Sequence, residues 1–262
     1  MKRIIAILIK KVQELFQNDI FILQLIKFFK RIIVSYNMMV DKKRIFYFKI
    51  KLLDWFQHNQ RSFPWREANR SCYEIVIAEI LLQRTKAETV KKYYQVFLNR
   101  FNSWESLAAS TEVEIGEYLK PFGLWRQRSK RIKALAQEIE RLHGLPKSKK
   151  QLEKLPIMGK YIVNTILTQC YGHKEAFVDV NMVRVLERFF RPGEKVDFRY
   201  DPFIQNLAKK IVYRQKHKET IFLNWAILDF SALVCKSKNP LCSKCPLYRK
   251  CNYYHLNTLD NS

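Results

Sequence analysis

The hexapeptide Leu155-Pro156-Ile157-Met158-Gly159-Lys160 lies between two segments with helical character. Lys150 to Lys154 precede it, and the apolar run Tyr161 to Cys170 follows it. A helix, a tight turn containing glycine and a second helix form a hairpin, and the free N–H groups that open the second helix can bind a phosphate. Ordinary packing of two helices produces the same pattern, so the stretch by itself indicates a helical hairpin and only suggests an anion site.

The composition indicates a folded, basic, helical protein. The 262 residues include 48 Lys and Arg against 24 Asp and Glu, which gives a formal net charge of +24 and requires an anionic partner. With 48% hydrophobic and 14% aromatic residues, a disordered basic chain is excluded. Only 6 residues are glycine, which argues against many tight β-turns and favours an all-α fold.

Hydrophobic residues recur at helical spacing from Phe46 onward. The pattern predicts helices over Tyr73 to Arg84, Glu88 to Phe101 and Arg126 to His143. Shorter helices are expected at Trp104 to Ala109 and after Thr111, which should act as an N-cap.

Four cysteines near the C-terminus, Cys235, Cys242, Cys245 and Cys251, follow the spacing C-x6-C-x2-C-x5-C. No secretory signal is visible, and clustered thiols in a reducing compartment more often bind metal than form disulfides. Zinc prefers two closely spaced cysteine pairs, whereas this sequence has one, so we expect an iron–sulfur cluster and keep zinc as the alternative. The intervening loop would present Lys236 and Lys238 to phosphates.

Two acidic residues are candidate catalysts. Asp179 precedes an apolar helical run, where it would cap the helix and have its ionised form favoured by free N–H groups. Glu79 is the only charge in the apolar segment Ile75 to Leu81, so burial should raise its pKa and make it a proton donor. An ordinary N-cap and a solvent-facing helix position are the alternatives. Gln83, four residues after Glu79, should share its face.

Taken in order with Phe63-Pro64-Trp65-Arg66, these elements resemble the helix-hairpin-helix (HhH-GPD) DNA glycosylases that carry a 4Fe-4S cluster. The group includes endonuclease III, the mismatch-adenine glycosylases (MutY) and the archaeal G/T-mismatch thymine glycosylases. The resemblance implies an all-α fold in which residues 68–173 form a six-helix domain with the hairpin. Residues 45–67 and 174–262 would together form an iron–sulfur cluster domain, with DNA and a flipped base in the cleft between the two domains.

The same resemblance assigns roles to individual residues. Tyr161 stands where the bifunctional enzymes have an attacking lysine, so a monofunctional glycosylase that uses water is expected. Lys160 is rotated about 100° from that position on a helix and should point away from the pocket. The resemblance implies catalytic roles for Asp179, Glu79 and Tyr161, cluster ligation by the four C-terminal cysteines, and DNA contacts from Gln83, Arg84, Met158, Gly159, Lys160, Lys236 and Lys238.

Smaller details favour thymine or uracil opposite guanine as the excised base. Gly123-Leu124-Trp125 differs from the Gly-Tyr-Tyr of the adenine enzymes, and Val180 rather than glycine follows Asp179. Adenine opposite guanine or 8-oxoguanine is the alternative, and a non-catalytic DNA-binding damage sensor is a third hypothesis. Ile157 replaces the first glycine of the usual hairpin turn, so a positive φ there would be strained.

Residues 1–44 read as a basic amphipathic extension with ten basic and three acidic side chains. A helix packed on the body is one interpretation; an arm that contacts DNA, a membrane surface or another protein is another, and translation from Met38 or Met39 is a third. For the whole chain we expect a monomer that acts on double-stranded DNA carrying a mismatched or damaged base, in the cytoplasm and associated with the nucleoid.

Overall fold

A computed structural model of the chain describes residues 41–190, 201–213 and 216–259. The chain divides into two compact units, Met1–Ile45 and Phe46–Ser262, and the second contains nearly all of the described residues. The predictions for residues 1–40 lie outside the described residues.

The described residues form twelve α-helices joined by turns and short 3-10 segments, and they contain no strand, which confirms the all-α prediction. The helices are α1 Lys42–Asn59, α2 Cys72–Leu82, α3 Ala87–Arg100, α4 Trp104–Ala109, α5 Glu112–Leu119, α6 Trp125–Arg141, α7 Lys149–Leu152, α8 Lys160–Tyr171, α9 Val180–Phe190, α10 Pro202–Val212, α11 His217–Leu233 and α12 Asn252–Leu259. No helix in these ranges is both long and apolar enough to cross a membrane.

Helix α2 is the centre of the larger hydrophobic core. Every residue from Ile75 to Leu81 is buried, and α2 packs against α8 inside a cluster to which helices α2 to α8 contribute. The helix begins at a capping box, in which the Ser71 side chain accepts from the Glu74 N–H and the Glu74 carboxylate accepts from the Ser71 N–H. The cap sets where α2 begins, and the buried residues that follow hold the helix in the core. Together they determine the position of Glu79, the acidic residue in the buried part of α2.

A second layer of aromatic packing joins the chain before α2 to the chain after α8. Phe48 of α1 lies 5.1 Å from the ring of Phe189 and 5.3 Å from that of Phe190, both in α9. Trp55 meets Phe230 of α11 edge to face at 5.3 Å. The predicted division into a six-helix domain and a cluster domain stays a prediction; this packing is compatible with it.

The predicted hairpin is formed by α7, α8 and the turn between them. Ile157 in that turn has φ +69°, a left-handed conformation that is strained for a β-branched residue. Gly159 has an ordinary φ of −73°, and a Cβ atom added to it would meet nothing within 4 Å. Position 157, whose left-handed conformation favours glycine, therefore has isoleucine. Gly159 has an ordinary conformation and faces open space at the start of α8.

Candidate active site

A cavity of about 990 Å³ opens where the end of α2, the turn before α6, the start of α8, the start of α9 and the last turns of α11 meet. The cavity is lined by all three residues predicted to be catalytic, Glu79, Tyr161 and Asp179. Residues predicted to contact DNA also border it: Gln83, Arg84, Gly159 and Lys160. The volume is large enough for a nucleotide-sized ligand.

Glu79 is almost fully enclosed by the core around α2, with 7% of its surface exposed. Burial is the largest influence on its carboxyl group and raises its pKa from the ordinary 4.5 to about 7, while the positive charge of Arg66 and a hydrogen bond from Tyr161 oppose the rise. Its Oε2 atom is buried and makes no hydrogen bond within the described residues. A carboxyl group that is partly protonated near neutral pH and has an unused oxygen is suited to exchange a proton with a ligand.

Tyr161, the second residue of α8, lies directly against Glu79. Its pKa is raised well above the ordinary value, first by burial and then by the negative charges of Glu79 and Asp179. The phenol therefore stays protonated and serves as a hydrogen-bond donor. Lys160 also borders the cavity with an exposed side chain, so the prediction that it turns away from the pocket is only partly met.

Asp179 caps α9, as the sequence predicts. Its Oδ1 accepts from the N–H groups of Asn181 at 3.0 Å and Met182 at 2.7 Å, and its Oδ2 accepts from the side-chain amide of Asn181 at 2.6 Å. Burial nevertheless outweighs these hydrogen bonds, and the pKa of Asp179 is raised rather than lowered. The expectation that the first-turn N–H groups dominate is corrected accordingly.

Arg66 and Asp229 form a buried ion pair in the wall of the same cavity. Arg66 donates from Nη1 to Oδ2 of Asp229 at 2.8 Å and from Nη2 to Oδ1 at 3.0 Å, and the Arg61 backbone N–H adds a third bond at 2.9 Å. Asp229 is completely buried. This pair ties the turn after Phe63 to α11 and places a positive charge near Glu79.

A chain of hydrogen bonds leads from Asp179 toward the cysteine loop. Asn181, which donates to Asp179, accepts from Arg184 Nη1 at 3.1 Å. Arg184 in turn donates to the carbonyl oxygens of Cys235 at 3.0 Å and Ser231 at 3.1 Å. The orientation of the catalytic candidate therefore depends on the loop that carries the first cysteine.

The mouth of the cavity is formed by two neighbouring loops. Gln83 and Arg84 lie just after the last residue of α2, Leu82, so the helix ends two residues earlier than predicted, and Gln83 shares the cavity with Glu79 rather than a helix face. The second loop, which precedes α6, contains Leu124, whose φ is +52° and whose surface is 60% exposed. An exposed leucine in a left-handed backbone conformation is an unfavourable arrangement that a binding role would explain.

The remaining predicted DNA contacts have mixed outcomes. Met158 packs in the hydrophobic core with 6% of its surface exposed, and its predicted DNA contact stays a prediction. Lys236 and Lys238 are exposed, as that role requires. Arg188 holds their loop by donating to the carbonyl oxygens of Lys236 at 2.6 Å and Ser237 at 3.0 Å.

The four C-terminal cysteines line one small hollow with Arg188 and three tyrosines. Arg188 Nη1 lies 3.6 Å from Cys235 Sγ, and the Cys251 thiol lies 3.5 Å from the Arg188 carbonyl oxygen. No group of three or more His, Cys, Asp or Glu side chains in the described residues is spaced to hold a single metal ion. Four thiols that line one hollow are the type of ligand set that a cuboidal iron–sulfur cluster takes, with one thiolate on each iron.

Three residues that line the cavity had no role predicted from the sequence: Arg66, Arg128 and Asp229. Asp229 carried a usable signal, because like Glu79 it is a lone charge in an apolar helical segment, Ala226 to Phe230. Its partner lies 163 residues away, and nothing in the sequence links the two. Arg128 is one of several cations in α6 and had no distinguishing mark.

Comparison with known proteins places the chain among DNA repair proteins. The HhH-GPD superfamily of base excision DNA repair proteins matches residues 77–199. A thymine-DNA glycosylase from Aeropyrum pernix is 33% identical over 222 residues, which cover 83% of this chain and 99% of that one. A thymine/uracil-DNA glycosylase from Methanothermobacter thermautotrophicus is 34% identical over 217 residues, with coverage of 82% and 96%. The solved structure of a thermostable thymine-DNA glycosylase superposes with a TM-score of 0.75 at 33% identity, covering 82% of this chain and 98% of that one.

Proposed function

The chain belongs to the HhH-GPD superfamily of base excision DNA repair proteins, and from this we propose that it is a monofunctional DNA glycosylase that releases thymine or uracil opposite guanine in duplex DNA. The observation that carries the proposal is the meeting of Glu79, Tyr161 and Asp179 in one cavity of nucleotide size. A base inside a duplex is not accessible to these groups, so the target nucleotide must rotate out of the stack.

The reaction is a hydrolysis of the bond between C1′ of the sugar and the base nitrogen. As this bond breaks, positive charge develops on the sugar, and the Asp179 carboxylate, held by Asn181 and Met182, is placed to stabilise it. Water supplies a hydroxyl group to C1′, and the proton that the water loses replaces the one that the departing base takes up from Glu79. Glu79, with its pKa of about 7, protonates or hydrogen-bonds that base through the carboxyl oxygen that makes no hydrogen bond among the described residues.

A monofunctional reaction is supported by Tyr161. A bifunctional glycosylase attacks the sugar with an amine, but the side chain that bonds Glu79 here is a phenol with a raised pKa. The product should therefore be an intact strand with an abasic site.

The cavity mouth and the hairpin supply the contacts that hold the distorted duplex. Gln83 and the exposed Leu124 flank the cavity from two loops, where they would fill the space that the rotated base leaves. The open surface at Gly159 and the start of α8 would receive a backbone phosphate, with Lys160, Lys236 and Lys238 adding charge.

A 4Fe-4S cluster is the cofactor that the four cysteines fit. Cys235, Cys242, Cys245 and Cys251 would hold it, and the nearby guanidinium of Arg188 would balance its negative charge. When bound, the cluster supplies a rigid anchor for the loop of Lys236 and Lys238. A brown protein whose visible absorbance disappears in Cys245→Ser would support iron; a colourless protein containing one equivalent of zinc would contradict it.

The substrate is tested by a single-turnover panel of G·T, G·U, A·G and A·8-oxoguanine duplexes, each analysed with and without alkali. We expect thymine and uracil release opposite guanine, with strand breaks only after alkali. Adenine release would favour the alternative base choice, and breaks without alkali would contradict a monofunctional reaction. Binding to all four duplexes without any abasic product would favour a damage sensor.

The catalytic assignment is tested with Asp179→Asn. We expect base release to fall about 10²–10³-fold, since the substitution removes the charge that faces the sugar, while mismatch binding is kept. Asp201→Asn is the matched control, because Asp201 likewise caps a helix, with bonds from the Phe203 and Ile204 N–H groups, but does not line the cavity. Near-full base release by Asp179→Asn would refute the assignment.

Three further features complete the proposal. We infer that the protein acts as a monomer, since one copy contains every side chain that the reaction needs. The substrate implies action inside the cell on chromosomal DNA. The basic segment of residues 1–44 is proposed as an additional contact to DNA, with a membrane surface or another protein as the alternatives.

A further inference from the structure

Arg128 of α6 donates hydrogen bonds to carbonyl oxygens at the end of α2 and just after it. Its Nη2 donates to the carbonyls of Ile80 and Leu81 at 3.4 Å each and, more closely, to that of Gln83. The last carbonyls of a helix lack partners in a further turn, and here backbone N–H groups bond two of them, from Gln83 to Ile80 and from Thr85 to Leu82. The guanidinium group of Arg128 adds a side-chain cap to this helix end.

The position of Arg128 is unfavourable for its own helix. It lies in the first turn of α6, where the macrodipole disfavours a cation, and no acidic residue of that turn offsets it. Burial lowers its pKa, and its Nη1 atom is buried without a hydrogen-bond partner among the described residues. The favourable interactions of the side chain are therefore those with the end of α2, at the cavity wall that Arg128 helps to line.

A second link joins the same two loops. The Thr85 hydroxyl lies 3.3 Å from the carbonyl oxygens of both Gln83 and Phe122. Phe122 directly precedes the Gly123-Leu124 turn from which α6 starts. Arg84 and Leu124 both have left-handed backbone conformations, with φ of +56° and +52°. Each loop therefore contains a strained residue whose conformation must be stabilised by contacts around it.

We propose that Arg128 is a positioning residue that locks the loop of Gln83 to the turn of Leu124, so that the two side chains enter the DNA as one preformed wedge. The proposal rests on the glycosylase function and adds to it a residue that acts only through others. Arginine suits this role because the rigid guanidinium plane aims Nη2 at the carbonyl oxygens, whereas lysine carries its charge on a flexible chain with no such plane. A preformed wedge lowers the cost of holding the target nucleotide out of the stack.

The test compares Arg128→Met and Arg128→Lys with wild type in the full-length protein. Base rotation is followed by the fluorescence of 2-aminopurine placed next to the thymine of a G·T mismatch. Base release is measured by single turnover on G·T, and binding on a duplex that carries a stable abasic-site analogue, which has no base to displace. Lys130→Met is the matched control, because Lys130 is an exposed cation of the same helix that does not line the cavity.

For Arg128→Met we expect the fluorescence rise to fall at least by half and base release to fall about tenfold, while affinity for the abasic duplex changes less than about threefold. Arg128→Lys should resemble Arg128→Met, since the rigid plane that aims Nη2 at the carbonyl oxygens is lost although the charge remains. A wild-type fluorescence rise in Arg128→Met, or full rescue by lysine, would overturn the proposal. A parallel loss of abasic-site affinity and base release would show a merely structural role and overturn it as well.

Two arrangements keep the outcomes separable. If Arg128→Met does not fold, Thr85→Val removes the second link with an isosteric side chain, and its fluorescence rise should fall in the same direction. If wild type releases no base from any mismatch, the glycosylase function fails; the fluorescence measurement still decides whether Arg128 positions the wedge, because it needs binding and no chemistry.

Discussion

At the scale of single residues, Glu79 combines near-complete burial with a carboxyl oxygen that has no hydrogen-bond partner in the part of the chain that the structure describes. Its pKa of about 7 means that the folded protein holds the proton more tightly than the unfolded chain does. The stability contributed by the protonated form is complete below about pH 4.5 and is lost as the pH rises to about 7. At about 1.4 kcal/mol per pH unit, the folded state loses about 3 kcal/mol over this range.

Glu79→Gln should therefore be more stable than wild type at pH 8 and less active. Compared with wild type, its free energy of unfolding should gain about 3 kcal/mol between pH 4.5 and pH 8, measured by urea unfolding. Base release should fall about 10²–10⁴-fold at pH 6 and lose the decline that wild type shows as the pH passes about 7. The exposed Glu140→Gln serves as the control. Equal pH dependence of stability in Glu79→Gln and wild type would contradict the raised pKa.

Residues whose chemistry shows in their local sequence were predictable, and residues defined by distant partners were not. Glu79 stood out as a lone charge in an apolar helix, and Asp179 as a cap before one. Whether Asp179 had a raised or lowered pKa depended on its burial, which no local pattern reveals. Arg66 and Arg128 matter through contacts made 163 and 45 residues away in sequence.

At the scale of elements, the hairpin turn has its strain and its glycine at different positions. Ile157 has a φ of +69°, which costs about 1–3 kcal/mol for a residue with a branched side chain, yet the side chain also packs against the core. In Ile157→Gly the relief of strain should nearly cancel the lost packing and the added freedom of the unfolded chain.

We therefore expect Ile157→Gly to change the free energy of unfolding by less than about 1 kcal/mol. Ile162→Ala, at a buried position in regular helix α8, should cost about 2–5 kcal/mol under the same conditions. Both values come from urea unfolding followed by circular dichroism. A loss in Ile157→Gly as large as that in Ile162→Ala would show that the left-handed conformation is not strained.

The elements themselves were largely predictable because helical periodicity is a local property. Helix α4 has the predicted bounds, and Thr111 caps α5 by accepting from the Glu114 N–H at 3.1 Å. The end of α2 was placed too late, since the Gln83 N–H turns back to the Ile80 carbonyl and Arg128 bonds the Ile80 and Leu81 carbonyls in place of a further turn of helix. Tertiary contacts of this kind override the local pattern at helix ends.

At the scale of the whole molecule, the formal charge of +24 includes two lysines, Lys236 and Lys238, on the loop that carries the first cysteine. Arg188 holds the backbone of the loop from which the exposed Lys236 and Lys238 project. A cation that contacts a phosphate releases a counterion on binding, and each such contact contributes about −0.9 to the slope of log K against log salt concentration.

Replacing Lys236 and Lys238 together by methionine should therefore make this slope shallower by about 1.8, with similar losses on matched and mismatched duplexes. The measurement is fluorescence anisotropy of a labelled duplex over a series of salt concentrations. Lys51→Met is the control, because this exposed cation on α1 lines neither the cavity nor the cysteine hollow; its slope should stay within about 0.3 of wild type. A slope unchanged by the double substitution would mean that the cysteine loop does not touch the DNA backbone. A loss confined to the mismatched duplex would mean that it contacts the bases near the lesion, because phosphate contacts carry no sequence information.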